Sequence, residues 1–368
     1  MIHLDALLAD LELLVNTESP SLELELLQHS AEVLAGVFEA RLGAPAELVD
    51  SPAGPHVRWC GGGEPKVLIV GHHDTVFPIG TVAARPFAVV DGRAMGPGVF
   101  DMKGGLVQAI HAVASLPAEV QAGVEFLITA DEEVGSGESR ALIEERALAC
   151  GAVLVCEPSA DGGALKIARK GTGTFELVVH GKAAHAGLEP WNGVNSLVAA
   201  AELITQVATF GDPATATTVT PTVATAGTAD NVVPAEARVK VDVRVEQAGE
   251  KERIEGLFAG LTTSVPGARV EVLGGMNRPP MPASASASLY PLAEVAATAS
   301  GYGPIEGVAV GGGSDGNLTE AVGVATLDGL GAVGGGAHAD HEYLVVDTLV
   351  PRTAFLAALL SEVVLHPR

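Results

Sequence analysis

The chain has 368 residues, more than one domain usually holds, so two domains are the expectation. Hydrophobic residues make up 48% and charged residues 18%, which excludes a largely disordered chain. With 21 Lys and Arg against 45 Asp and Glu, the net charge of −24 repels phosphate backbones and anionic lipid. Nucleic acid and membrane surfaces are therefore not expected partners.

Cys60, Cys150 and Cys156 are odd in number and lack CxxC spacing. They cannot form a disulfide framework or a thiolate zinc site, and they fit a reducing compartment. The N-terminal apolar stretch carries acids and no basic region, unlike a signal peptide. No uncharged stretch reads as a membrane span of about 20 apolar residues. The expectation is a soluble cytoplasmic protein.

Leu and Ala at helical spacing predict helices over 5–16 and 21–41. Residues 66–71 form a short apolar run between Pro65 and Gly71, the pattern of a strand buried on both faces. A helix over 102–116 ends at Pro117, and apolar strands follow at 124–130 and 152–156. This alternation predicts an α/β layer with a mostly parallel sheet. The pattern changes near Lys170. A strand at 174–180 leads to a helix over 192–210 with Leu197, Ala200, Ala201, Ile204 and Val207 on one face. Strands at 217–226 and 235–245, a helix over 248–265 and a strand at 268–273 complete a β-α-β-β-α-β order. That order is the ferredoxin-like split unit. Residues 277–282 read as a linker, after which the α/β pattern resumes with strands at 308–310 and 324–327 and helices near 288–300, from Ser314 and over 347–365. The expected division is 1–169 and 284–368 for a catalytic domain and 170–283 for an inserted one.

Metal-competent groups follow the predicted strands. Residues 67–70 run into Gly71-His72-His73-Asp74, residues 124–130 into Asp131-Glu132-Glu133, and residues 152–156 into Glu157. Residues 324–327 lead through a glycine-rich loop to His338-Ala339-Asp340-His341, and Asp101 precedes the helix at 102. In a parallel sheet these carboxyl ends share one edge, where ligands bind. Singly, each acid or imidazole reads as a turn or cap residue; Asp101 could cap its helix. Five such sites at one edge instead suit one or two divalent ions with mixed N and O ligands. Of the adjacent pair Glu132 and Glu133, one can bind metal while the other faces the water as general base. Asp74, two residues after His72, lies on the same side of an extended segment and is placed to receive the other imidazole N–H.

Two other motifs compete. Gly312-Gly313-Ser314-Asp315-Gly316 fits G-x-S-x-G, so a serine-hydrolase triad of Ser314, Asp328 and His338 is an alternative. It leaves the DEE and GHHD motifs without a task. Residues 329–334 fit G-x-G-x-x-G, but no phosphate-binding helix follows.

The segments GHHDTV, GPGVFDMKGG, DEEVGS, CEP, HGKAAHAG, NVVPAEARVKVDVR, GGGSDG and GAHADHEY together resemble the co-catalytic zinc metallopeptidases and deacylases. That family includes glutamate carboxypeptidase, acetylornithine deacetylase, succinyl-diaminopimelate desuccinylase and aminoacylase, and the chain is most similar to the glutamate carboxypeptidase branch. The resemblance implies two Zn²⁺ per chain, with Co²⁺ or Mn²⁺ as substitutes. It implies that Asp101 bridges them, that His72 and Glu157 complete one site, and that Glu133 and His338 complete the other. His338 directly follows the glycine-rich loop; His341 is the competing ligand, and His73 is a bystander. Glu132 is implied as the general base, and Asp74 as the residue that orients His72. The resemblance also implies a cis peptide at Asp101–Met102. The inserted domain is implied as a lid through which a homodimer forms. His185 would stabilise the oxyanion; Arg244 and Asn231 would hold the substrate carboxylate and carbonyl. Gly312, Gly313 and Ser314 would present backbone to the substrate, and Arg278 would take a second carboxylate. The implied reaction cleaves an amide next to a free carboxylate in a peptide or N-acyl amino acid. Carboxypeptidase action leads, N-acyl amino acid deacetylation is the alternative, and a non-catalytic binding relative is a third reading.

Overall fold

A computed structural model describes residues 2–366 of the chain. Six strands form the main sheet, in the spatial order Glu47–Val49, His56–Cys60, Val124–Thr129, Val67–His72, Ala152–Val155 and Ala325–Leu327. The last four are mutually parallel, and the first two add antiparallel at one edge. The period of two sorts the central strand between two layers. Val67 and Ile69 pack with the helices Leu4–Val15, Leu24–Leu42, Gly104–Ala114 and Leu349–Leu365, while Leu68 and Val70 pack with the helices Arg140–Cys150 and Gly316–Ala321. Burial on both faces is why these strands read as continuous apolar runs.

The stretch Val346–Leu365 is long and apolar enough to cross a membrane. Its Leu349, Phe355, Leu356, Leu359 and Leu360 are instead buried in this core.

A small second sheet pairs Ala88–Val90, Arg93–Met95, Tyr343–Val345 and Gly334–Gly335. Its last hairpin carries residues 336–342 at its turn. The predicted strand at 308–310 does not join the main sheet. Gly307–Val310 pairs with Leu165–Arg169 alone, and its half-exposed residues do not suit an interior position.

The chain divides into two compact units. One comprises 1–168, 283–310 and 314–368; the other comprises 169–282 with 311–313. Residues 311–313 fall outside the expected second unit of 170–283. Arg169 draws them in, donating to the carbonyls of Gly312 and Gly313 at 3.1 and 3.2 Å.

The second unit is a four-stranded antiparallel sheet in the order Thr218–Ala226, Glu236–Val245, Gly171–His180 and Arg269–Arg278, with the helices Ser196–Val207 and Glu250–Ala259. Its strand order is that of the ferredoxin-like unit. Ala237, Val239, Val241, Val243 and Val245 alternate into the core, where Phe175 stacks on Phe258 with centroids 3.8 Å apart.

Three local expectations are corrected here. The helix expected at 192 starts at Ser196, because the Asn195 side chain accepts from the N–H groups of Leu197 and Val198 and caps it. That start turns Ser196, Ala199, Ala200, Leu203 and Val207 inward and leaves Leu197 51% exposed. The helix expected over 248–265 stops at Ala259, before Gly260. The last strand runs on to Arg278, so Asn277 and Arg278 belong to the sheet rather than to a linker.

Candidate active site

Three parallel strands deliver side chains to one edge. His72 is the final residue of Val67–His72, Glu132 and Glu133 open the 3-10 turn after Val124–Thr129, and Glu157 follows Ala152–Val155. The strand can approach its neighbours here because residue 71 is glycine; a Cβ would lie 2.7 Å from Leu106 and 2.8 Å from Met102. Asp101 sits in the turn Val99–Lys103 with non-helical dihedrals, so it is not a helix cap, and its peptide to Met102 is cis. His338 comes from the hairpin turn, at a left-handed φ of +64°. That conformation is uncommon for a residue with a Cβ and is found at functional sites.

Two histidines face opposite oxygens of one carboxylate. His72 Nε2 is 3.4 Å from Asp101 Oδ1, and His338 Nε2 is 3.4 Å from Asp101 Oδ2. Glu157 Oε1 lies 3.5 Å from His72 Nε2, and Glu133 Oε2 lies 3.1 Å from His338 Nε2. Most of these separations are long for hydrogen bonds. They match the edge of a coordination tetrahedron: ligand bonds of about 2.05 Å place ligand atoms about 3.3 Å apart. Glu132 joins the group, with ligand atoms of His72, Glu132 and Glu157 all within 4.8 Å of one another. Among the described residues, His72 Nε2, Asp101 Oδ1 and Glu133 Oε1 are buried without a hydrogen-bond partner. Buried polar atoms are rarely left so, and divalent cations held by this cluster would satisfy all three. The residues present therefore fit a metal centre.

The charges are tightly linked. Burial opposes the Asp101 charge, but His338 and His72 together hold its carboxyl well below the usual range. Asp101 and Glu133 push the His338 imidazole up to about 10. Burial, with Asp101 nearby, raises the Glu133 carboxyl.

The support around the cluster differs in part from expectation. His72 Nδ1 is 2.9 Å from the backbone carbonyl of Asp74 and 3.4 Å from its carboxylate. The Asp74 carboxylate instead accepts from Glu132 N and Glu133 N at 3.2 Å each and from Ser21 Oγ at 2.7 Å. It thus holds the acidic turn as well as the histidine. His73 is occupied on both nitrogens, by Ser30 at 3.1 Å and the Pro55 carbonyl at 3.0 Å, and burial lowers it to about 4. His341 is exposed, whereas His338 faces Asp101 and Glu133.

Glu342 carries a role that sequence reasoning missed. Its carboxylate accepts from Gly98 N, Phe100 N and Asp101 N at 2.8, 3.0 and 2.8 Å, and so fixes the loop that presents Asp101. The late HADHEY segment held that signal. Arg352 was also missed. Fully buried, it donates to the carbonyls of Gly329 at 2.6 Å and Gly331 at 3.2 Å, while Gly331 N donates to the Glu157 carbonyl at 2.8 Å.

The Ser314 side chain turns into the interior. It is fully buried, its hydroxyl donates to Asp328 at 2.6 Å, and its N–H donates to Asn317 Oδ1 at 2.9 Å. A buried serine that donates to a carboxylate has no histidine base to make it a nucleophile. The serine-hydrolase alternative loses its nucleophile.

In the second unit, His185 Nδ1 accepts from Gly187 N and Leu188 N at 3.1 Å each. An imidazole that accepts at Nδ1 carries its neutral proton on Nε2. Asn231 neighbours it, accepting from Ala186 N at 2.9 Å. Arg244 and Arg278 are both paired with Thr172 across neighbouring strands, in one row on one face. Strands two apart stand about 10 Å from each other, which sets the spacing of the two guanidinium stems. Arg244 already forks onto Asp242, at 2.8 and 3.0 Å. Gly313 lies against Arg278, where a Cβ would come within 3.3 Å of Arg278 Cδ and 2.8 Å of Thr172 Cγ2.

Comparison with known proteins places this geometry. The chain is 32% identical over 314 residues to carboxypeptidase G2 of Pseudomonas sp. strain RS-16, covering 82% of this chain and 74% of that one. It is 29% identical over 341 residues to a succinyl-diaminopimelate desuccinylase of Roseobacter denitrificans, covering 83% and 85% of the two chains. Its fold matches the M20 family metallo-carboxypeptidase Sso-CP2 from Sulfolobus solfataricus with a TM-score of 0.81 at 18% identity, over 98% and 99% of the two chains. Residues 68–362 match the pattern described as peptidase family M20/M25/M40, and the chain belongs to that family.

Proposed function

We propose that this chain is a dizinc carboxypeptidase that releases a C-terminal amino acid, of the glutamate type, from a peptide or N-acyl conjugate. The observation that carries the reading is the split of Asp101, one oxygen toward His72 and the other toward His338. His72, Asp101 and Glu157 would hold one ion; Asp101, Glu133 and His338 would hold the other. When bound, two such ions supply Lewis acidity and make water acidic enough to be deprotonated at neutral pH.

The chain's own residues then divide the remaining work. Glu132 accepts a proton from the attacking water and returns it to the leaving nitrogen. Asp74 fixes the turn that carries Glu132. His185 donates from Nε2 to the developing oxyanion, with Asn231 beside it. Arg244, with Asn231, takes the substrate carboxylate, and Arg278, backed by Gly313 in the same row, takes a second carboxylate. A dicarboxylic amino acid such as glutamate suits that row. Replacing Arg278 or Arg244 by Ala should raise KM while kcat holds, and an unchanged KM removes that arginine from substrate binding.

A deacylase of the desuccinylase type is the second reading, favoured by the match along most of the Roseobacter enzyme's length. A screen of N-acyl amino acids and C-terminal dipeptides, with and without chelator, tests both. Chelator-sensitive release of a C-terminal amino acid supports the hydrolase. No hydrolysis after loading with Zn²⁺, Co²⁺ or Mn²⁺ overturns it and leaves a binding protein.

We infer further a cytoplasmic homodimer formed through the second unit. The edge strand Thr218–Ala226 and exposed Trp191, Leu197 and Val198 support the dimer, and the free Cys60, Cys150 and Cys156 support a reducing compartment. Light scattering that gives a monomer mass would overturn the dimer.

A further inference from the structure

Two arginines on one strand are held by the same device and completed differently. In Glu236–Val245, Arg238 and Arg244 lie on the face away from the core, and each has an acid two positions before it. Side chains two apart on a strand share a face, so each acid reaches its arginine. Glu236 accepts from Arg238 Nε at 2.8 Å. Asp242 accepts from Arg244 Nε at 3.0 Å and Nη2 at 2.8 Å.

The neighbouring strand Gly171–His180 makes the difference. Its Glu176 accepts from Arg238 Nη1 at 3.2 Å, so that guanidinium is engaged at both ends. Opposite Arg244 the same strand offers Thr172 instead of an acid. Among the described residues, Arg244 Nη1 has no hydrogen-bond partner. A guanidinium has two edges that match a carboxylate. Asp242 fills the Nε–Nη2 edge and leaves the Nη1–Nη2 edge open.

Stability does not account for Asp242. Aspartate is depleted from strands, and this strand is paired on both sides. The Asp242 and Arg244 side chains are 37 and 35% exposed, and ion pairs at such positions add little to stability. The fork does restrict a long side chain with many rotamers before any ligand arrives, which lowers the cost of binding.

We propose that Asp242 is a positioning residue for substrate binding: it grips Arg244 by one edge and so presents the other edge to the substrate carboxylate. This role rests on the reading above, in which Arg244 takes that carboxylate. An acid that merely competed for Arg244 would have the opposite sign, and its removal would tighten binding.

The test measures calorimetric binding of N-acetylglutamate to zinc-loaded Glu132→Gln carrying Asp242→Ala, Arg244→Ala or both, and turnover of the same amide by zinc-loaded enzyme with Glu132 intact. Asp242→Ala should raise Kd and KM about three- to tenfold while kcat holds. Once Arg244 is Ala, the same change should add nothing, a coupling that general misfolding does not produce. Glu236→Ala removes the equivalent acid beside Arg238 and should leave Kd unchanged. An unchanged or lower Kd in Asp242→Ala, or a rise that persists without Arg244, overturns the positioning role and leaves the hydrolase intact. Binding unmoved by Arg244→Ala removes Arg244 from the site and overturns the positioning role with it. The predicted Kd pattern without turnover of any amide supports the positioning role and overturns the hydrolase.

Discussion

The two histidines that face Asp101 sit in unlike surroundings. His72 ends a strand buried on both faces, and its side chain is 1% exposed. His338 stands on a hairpin turn with its side chain 50% exposed. The first is fixed by the sheet, the second by a short hairpin that Arg85 ties down at its Asp340 carbonyl, 2.8 Å away. Electrostatic attraction strengthens as water is excluded, and exposed turns open at lower cost than core strands. A two-ion centre built this way has one tight half and one exchangeable half.

The largest expected effect leaves both halves in place. Glu132→Gln should lower turnover by about 10²–10⁴-fold, the usual contribution of a general base, while metal analysis still finds the wild-type content. Lost metal would show instead that Glu132 is a ligand.

Unequal halves also predict unequal release. Under a chelator, the ion beside His338 should leave first, giving two kinetic phases. His338→Ala should abolish the fast phase and keep the slow one, with one ion per chain. A single phase for both ions would break the comparison.

Glu342→Gln probes the loop between the halves. It weakens the grip on three N–H groups while keeping the side chain's size. Outer residues that orient ligands typically contribute about 10–100-fold to metal affinity. A loss of that size is expected at both ions, because Asp101 serves both, and a titration with zinc would read it.

The smallest effect lies in the second unit, away from the metal ligands. Arg253 leads in holding the Glu250 carboxyl at about 2 against a usual 4.5, with Thr217 and Thr215 assisting. A carboxyl lowered on folding stabilises the fold fully above its unfolded pKa, about 4.5. That contribution is lost as the pH falls toward about 2. Glu250→Gln should therefore lower the melting temperature near pH 7 and match wild type near pH 2. A constant offset across that range would show that the Glu250 charge does not stabilise the fold.

Much of this was legible in the chain because strong periodicity coincides with chemistry. The runs that become Val67–His72, Val124–Thr129 and Ala152–Val155 are apolar because both faces are covered, and their ends carry His72, Glu132 and Glu157. Less was legible where geometry is set by contacts remote in sequence. Gly334–Gly335 is two residues long and has no alternation to read. The helix at 196–207 is apolar on several sides, so only its Asn195 cap decides which side packs inward. Ser314 matches a nucleophile motif, yet Asp328 and Asn317 turn it into the interior. Glu342 bonds Asp101 N across 241 positions, a separation that no local pattern encodes.

The most direct test of the central claim is metal content after loading with zinc, on wild type and His338→Ala side by side. Two ions per chain are expected in wild type and one in the variant. One ion or none in loaded wild type, or two retained without His338, would contradict a centre shared through Asp101.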